Sequence, residues 1–342
     1  MFDVYATMDQ RMTPSEVGDH ARRAEALGYD GLNVPEAVHD GLLMSQIALQ
    51  ATTRLRVATS VLVAFPRSPM SVAHAAWDLQ ALSGGRFELG LGSQVRGNIV
   101  GRYSTPWTPP VPRMREYMAA LRAIFDTFQN GTPIDFEGEH YRFTRMQPFF
   151  NPGPLESPPI RLYLGAVGPK MTALAGEASD GLMTHPSNTP PRYLREVTRP
   201  RLEAGAARAG RAHAPRLMVS ALLATGETQA EVRAEREKQR EMLGFLYSTP
   251  AYWGSLELFG WKHVGEQLLA HSREGRWSEM KTLLSDEMLD TFVPAAPYGE
   301  IAECLRDRYA GLCDWITFPM PAASAQDPAC RKAIATLKER GD

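Results

Sequence analysis

Cysteine is scarce in this chain, with 3 among 342 residues, and Cys304, Cys313 and Cys330 show no Cys-x-x-Cys spacing. An odd number without that spacing argues against a disulfide framework and a structural zinc site, and it fits a reducing cytoplasm. An excess of charge is missing too: 37 Lys and Arg stand against 39 Asp and Glu, for a net charge of −2. No basic face is left for nucleic acid, and the stretches from Arg199 to Arg211 and from Arg233 to Arg240 mix signs as solvated helix faces do. No apolar run reaches the roughly 18 residues of a membrane span, and no basic-then-apolar leader opens the chain. A soluble, cytoplasmic protein with no membrane or nucleic-acid partner is expected. None of the 8 histidines forms a His-x-x-x-His or His-Glu-x-x-His pair, and no Gly-x-Ser-x-Gly elbow is present. These gaps speak against a catalytic metal and against a serine hydrolase.

What is there is rhythm. Strands are expected at Phe2 to Thr7, Gly31 to Val34, Arg56 to Val63, Arg86 to Leu91, Ile160 to Leu164, Gly181 to Thr184, Arg216 to Ala224 and Asp314 to Phe318. Helices fall between them, such as the one opened by Thr13-Pro14-Ser15-Glu16 and stopped at Gly28, where a capping residue, a proline and a glutamate three residues on mark the start. Continuous β-branched runs such as Arg56 to Val63 suit strands buried on both faces of a parallel sheet. Eight strands alternating with helices favour a closed (β/α)8 TIM barrel within the α/β class, because closure leaves no parallel edge exposed. The whole chain, 1–342, reads as one domain. Two insertions break the rhythm. The first, about 93–159, holds Trp107, a loop with Arg96 and Arg102, a helix from about Arg113 to Asn130 and a hairpin around Gly138. The second, about 227–296, is helical and aromatic around Tyr252 to Trp261. The helix Pro297 to Ala310 and the eighth strand end the pattern.

In such a barrel chemistry sits at the carboxyl ends of the strands. The strand-four exit Gly92-Ser93-Gln94 follows Leu82-Ser83-Gly84-Gly85-Arg86-Phe87-Glu88-Leu89-Gly90-Leu91, and small residues there let backbone N–H groups approach an anion. After strand five, Gly165-Ala166-Val167-Gly168-Pro169-Lys170-Met171 opens a helix whose first N–H groups have no partner within the helix, a second place for phosphate. Glu36 and His39 after strand two, and His185 after strand six, are the acid or base candidates.

Several strings then match a known family. Ala58-Thr59-Ser60-Val61-Leu62, the Leu82 to Gly92 segment, Gly165 to Lys170, Ala175-Gly176 and Ala178-Ser179-Asp180-Gly181 resemble the luciferase-like monooxygenase superfamily, and within it the branch that uses the deazaflavin coenzyme F420. The likeness spans nearly the whole chain and implies a TIM barrel and an oxidoreductase. It implies that a strand-three bulge at Thr59, Ser60 and Val61, with a cis Ser60–Val61 bond, backs the cofactor ring. It also implies that Gly92, Ser93, Gln94 and the segment Ala166, Val167, Gly168, Pro169, Lys170 and Met171 hold the cofactor phosphate. The implied reaction is hydride transfer between the deazaflavin C5 and a small organic substrate, and a homodimer is implied as well. FMN with oxygen, in a monooxygenase of the same fold, is the alternative, and a non-catalytic flavin-binding barrel a second one. Sugar-phosphate dehydrogenases of the branch carry an Asp-His pair and a Trp after strand two. Pro35-Glu36-Ala37 stands there instead, so the same substrate is not expected.

Overall fold

The computed structural model describes residues 2–339. Eight parallel strands close on themselves: β1 (Asp3–Thr7), β2 (Gly31–Val34), β3 (Arg56–Thr59, resumed at Leu62–Val63), β4 (Phe87–Gly92), β5 (Arg161–Ala166), β6 (Gly181–Thr184), β7 (Arg216–Val219) and β8 (Trp315–Thr317). Each pairs with the next, and β8 pairs with β1, which completes the (β/α)8 barrel.

The outer helices start and stop where local chemistry directs. α1 (Pro14–Leu27) starts where the Glu16 carboxylate reaches back to accept from the Thr13 N–H and hydroxyl at 2.8 and 2.6 Å, and ends at Gly28 with φ of 92°. α2 (Gly41–Ala51) is capped by the Asp40 carboxylate, which accepts from the Leu42 and Leu43 N–H groups. α3 (Pro69–Ser83) is capped by Ser68 and ends at Gly84 in the left-handed region. α4 (Pro110–Asn130) packs against α3 and α5 (Pro169–Ala178), so the segment 93–159 carries the fourth helix of the outer ring with loops on either side. The Arg96 to Arg102 stretch, expected as loop, contains a short helix, Arg96–Gly101. The helical segment that begins at Pro191 is interrupted by a π turn, Leu194–Thr198, before α6 (Arg199–Arg208), where Pro200 can donate no N–H. After α7 (Ile301–Tyr309) and β8 comes a helix that periodicity did not reveal, α8 (Asp327–Lys338), whose Asp327 carboxylate pairs with Arg23 on α1 at 2.6 Å.

The amino-terminal end of the barrel is sealed. Tyr5 and Tyr163 reach across the interior and donate to the two oxygens of Glu88, at 2.8 and 3.1 Å. A buried carboxylate without partners would cost several kcal/mol, and the two hydroxyls with Arg161 at 3.5 Å offset that cost. Gly31 and Gly181 open their strands because a side chain there would overlap the rings of Tyr5 and Tyr163. Asp3 bridges Arg56 and Arg216 at 2.9 and 2.7 Å below them.

Strand β3 departs from the expected continuous run. Ala58 pairs with Glu88 but Leu62 with Leu91, so three residues of β3 face two of β4 and one residue is bulged out. The Ser60–Val61 peptide is cis. Thr59 repairs the ladder with its side chain: Oγ1 accepts from the Gly90 N–H at 2.9 Å and donates to the Gly90 carbonyl at 2.8 Å. A Cβ at position 90 would collide with the Thr59 carbonyl, so glycine is required.

The second insertion folds around its own apolar cluster, which includes Leu243, Tyr247, Leu256, Leu268, Met288 and Phe292. Its ends are drawn together where Ala224 bridges Ala295. It docks through Tyr247 and Ser255, whose hydroxyls donate to the Ser187 carbonyl at 2.8 and 2.5 Å.

Replacing Thr59 by Val keeps the shape but leaves the buried Gly90 N–H and C=O unpaired, a loss of about 2 to 4 kcal/mol for two orphaned groups. Urea unfolding should show a lower midpoint for Thr59→Val with an unchanged slope, and Thr59→Ser should recover most of it.

Candidate active site

The carboxyl end of the barrel opens into a cavity of about 1270 Å³. Its floor is Val61, carried by the bulge and flanked by Gly92 and Gly165. A Cβ on Gly92 would overlap Val61 and one on Gly165 would come within 2.9 Å of it, so both glycines leave room for that side chain. Ser60, Met183 and Thr184 continue the lower wall.

One side of the cavity is built for negative charge. The start of α5 has glycine as its capping residue, so no side chain caps it, in contrast to α2 and α3. The first intrahelical bond runs from the Thr172 N–H to the Gly168 carbonyl at 3.0 Å, Pro169 has no N–H, and the donors of Lys170 and Met171 are left for a ligand. Nothing lies within 4 Å of a Cβ built on Gly168. Ser93 and Gln94 from the β4 exit line the same cavity, with Gln94 in the left-handed region at φ of 56°. This cradle offers backbone N–H groups to an anion at the edge of the cavity floored by Val61.

His185 sits at the β6 exit, stacked on Tyr252 of the second insertion with ring centroids 4.0 Å apart and planes 19° from parallel. Burial pushes its pKa down to about 4, so the ring is neutral near pH 7. Its Nδ1 accepts from the Ser187 backbone N–H at 3.3 Å and lies 2.9 Å from the Ser187 hydroxyl. Because an amide N–H can only donate, Nδ1 holds the lone pair and the proton is on Nε2.

Glu36 lines the cavity but is spoken for. With 5% of its side chain exposed, it pairs with Arg67 at 2.5 Å and accepts the Val63 N–H at 2.6 Å. Arg67 also reaches the Val63 carbonyl at 3.0 Å and Asp40 at 2.7 Å. The carboxylate therefore ties the loop after β2 to the resumed half of β3, which suits a brace better than an acid or base.

Of the residues expected from sequence, Glu36, Ser60, Val61, Gly92, Ser93, Gln94, the segment from Ala166 to Met171 and His185 line one cavity. His39 and Thr59 do not: His39 is half-buried outside the wall, and Thr59 is fully buried in the ladder. Trp107 packs edge-on against Phe65, and Trp261 packs against Phe259 and Phe292 in the insertion core, so neither covers the cavity. Sequence reasoning missed Arg67 as the partner of Glu36 and Ser187 as the group that sets the tautomer of His185. The spacing His185-Pro186-Ser187 is the local signal for the second, since a capping acceptor takes the N–H two residues on. Among the described residues, no group of three or more His, Cys, Asp or Glu could hold a metal ion, and no helix is long and apolar enough to cross a membrane.

Comparison with known proteins shows the family and the fold. The family profile for luciferase-like monooxygenases matches residues 2–314. An uncharacterised protein of Mycobacterium tuberculosis is 41% identical over 314 residues, 92% of each chain. The F420-dependent glucose-6-phosphate dehydrogenase of Intrasporangium calvum is 31% identical over 190 residues, 51% of this chain and 54% of the other. Among solved structures, the coenzyme F420-dependent tetrahydromethanopterin reductase of Methanopyrus kandleri superposes with a TM-score of 0.79 at 17% identity, covering 98% of both chains. Monooxygenases share the fold as well, one of them solved in complex with FMN.

Unfolded, His185 takes a proton near its ordinary value of about 6.5; folded, it does so only near 4. In that window the unfolded chain binds the extra proton, so this group subtracts stability as pH falls from about 6.5 to 4 and adds nothing to the pH dependence above it. Stability measured against pH should fall less steeply through that window in His185→Phe than in the parent.

Proposed function

The chain belongs to the luciferase-like monooxygenase family, and we propose that it is a coenzyme F420-dependent oxidoreductase acting on a small organic substrate. The observation that carries the reading is the uncapped start of α5, which aims the Lys170 and Met171 N–H groups into a cavity floored by Val61. The 31% identity to an F420-dependent dehydrogenase supports the choice of deazaflavin over FMN.

When bound, F420 supplies a carbon at C5 that gives or takes a hydride. The protein's part is positional and electrostatic. The N–H groups of Lys170 and Met171, with Ser93 and Gln94, would hold the phosphate, and the dipole of α5 adds attraction for it. Val61, fixed between Gly92 and Gly165, would support one face of the ring. His185 holds its proton at Nε2, directed away from Ser187, and donates to the substrate oxygen as negative charge grows there. With its pKa near 4 it accepts no proton at neutral pH, so the proton that completes the reaction is exchanged with water. The Glu36–Arg67 brace keeps the Pro35 to Ala37 wall in place against the floor.

Titration of the protein with F420 and, in parallel, with FMN, read by fluorescence quenching, tests the cofactor. Binding of F420 at low micromolar concentration or below is expected, and FMN binding without F420 binding would overturn the reading. The cradle has its own test in Gly168→Asp. The backbone there is extended, φ −80° and ψ 159°, and there is space for a side chain. An aspartate would cap α5 and put its own carboxylate where the phosphate is to sit. The variant should melt at the same or a higher temperature while F420 affinity drops about tenfold or more. Unchanged affinity would remove the cradle from the proposal.

A further inference from the structure

The half of the cavity away from the anion cradle has a different chemistry. Ala221, Leu222 and Leu223 enter from the β7 exit, Phe318 and Met320 from the β8 exit, and Tyr252 from the second insertion. The groups that could offer a positive charge in this space are already paired or neutral. Arg23 is bidentate to Asp327, at 3.1 and 2.6 Å, and donates to the Pro321 carbonyl at 2.9 Å. Glu36 is held by Arg67. Burial and the nearby Arg23 lower the pKa of His20, and burial lowers that of His185 to about 4, so neither ring offers a cation at neutral pH. Asp9, at the exposed rim, would repel an anion. Lys170 belongs to the cradle on the other side. A phosphate or carboxylate placed among Leu222, Leu223 and Met320 would therefore be desolvated with no counter-charge, at a cost of several kcal/mol.

We propose that the substrate is an uncharged molecule with a largely hydrocarbon body and one carbonyl or hydroxyl oxygen. The Leu222, Leu223 and Met320 wall takes the body, and the His185 Nε2–H takes the oxygen. This rests on the reading of the cavity as a redox site, and it narrows that reading to a substrate class. It also sets the chain apart from the sugar-phosphate enzyme it partly resembles, since among the described residues no free cation faces this half of the cavity to receive a phosphate.

Calorimetric titration separates this inference from the cofactor assignment. The purified protein is titrated alone and again saturated with F420, or with FMN if only FMN binds, using straight-chain methyl ketones from 2-butanone to 2-nonanone. The matching keto acids and dihydroxyacetone phosphate form the charged arm. Failure of F420 to bind counts against the cofactor reading alone. For the substrate class, Kd should fall about threefold to fourfold with each added methylene until the wall is covered, and each keto acid should bind at least about tenfold more weakly than its ketone. Flat affinity along the ketone series, no ketone binding up to the solubility limit, or a keto acid or phosphate that binds as tightly as the ketones would each overturn the inference. Leu222→Lys and Met320→Lys, both at partly exposed positions, supply the missing counter-charge at two separate points. In whichever variant keeps the parent's melting temperature, the preference should reverse toward the keto acid. A folded variant that still prefers the ketone would place the substrate elsewhere.

Discussion

A single residue of offset between β3 and β4 organises the functional end of this barrel. Parallel neighbours that stayed in register from Arg56 to Val63 would turn successive side chains strictly inward and outward, and no position would stand clear of the ladder. Three residues opposite two break that alternation and release Val61 as the floor of the cavity. The freed backbone groups of Gly90 must then find partners, because buried N–H and C=O groups are seldom left unpaired. Thr59 satisfies both with one hydroxyl. Three glycines follow from the same offset: Gly90 yields to the Thr59 carbonyl, and Gly92 and Gly165 yield to Val61. The resumed half of β3 leads to Val63, and its N–H and C=O are both engaged by the Glu36–Arg67 pair. Bulge, floor and brace thus form one connected device, and each part is polar only where backbone groups require a partner.

The opposite end of the barrel explains why such a device can be held steady. Glu88 sits on β4 two residues before Gly90, and its carboxylate is gripped by tyrosines from the neighbouring β5 and from β1 across the barrel. A buried carboxylate is weak evidence for stability, since desolvation opposes the gain from pairing. Its value here is geometric: hydroxyls from two other strands converge on one strand and fix its height, directly below the offset. The pair Gly31 and Gly181 lets the two rings lie flat across the interior, and Arg56 and Arg216 close the base over Asp3.

The architecture was legible because its signals are local. Proline at helix starts, glycine at helix stops and β-branched runs placed seven of the strands within two residues and the start of β7, which ends at Val219 where Ala224 was expected, and the closed barrel followed from their number and direction. Partnerships across sequence were not legible. Glu36 and Arg67 are 31 residues apart, and nothing in either neighbourhood says that one neutralises the other, so Glu36 read as a free carboxylate. His39 looked equivalent to Glu36 because both follow β2, yet a loop of that length turns one residue into the cavity and leaves the other outside. Thr59 was read beside Ser60 and Val61 as part of one bulge, although only two of the three face the cavity. The helix Asp327–Lys338 escaped because it follows the last strand, where the alternation gives no further cue.

The placement of charge in the cavity follows from what each element can supply at least cost. A helix start provides donors without a buried cation, because the partial charge on its N–H groups needs no counter-ion. At α2 and α3 those donors are consumed by Asp40 and Ser68, and at α5 a glycine leaves them free. The chain therefore keeps attraction for an anion at one point and spends no ionic side chain on it in the interior. Elsewhere in the cavity Arg23 and Glu36 are already paired, and the His185 imidazole is neutral because burial makes protonation unfavourable. A neutral donor placed there binds an oxygen more strongly as that oxygen gains charge, and contributes least before the reaction begins.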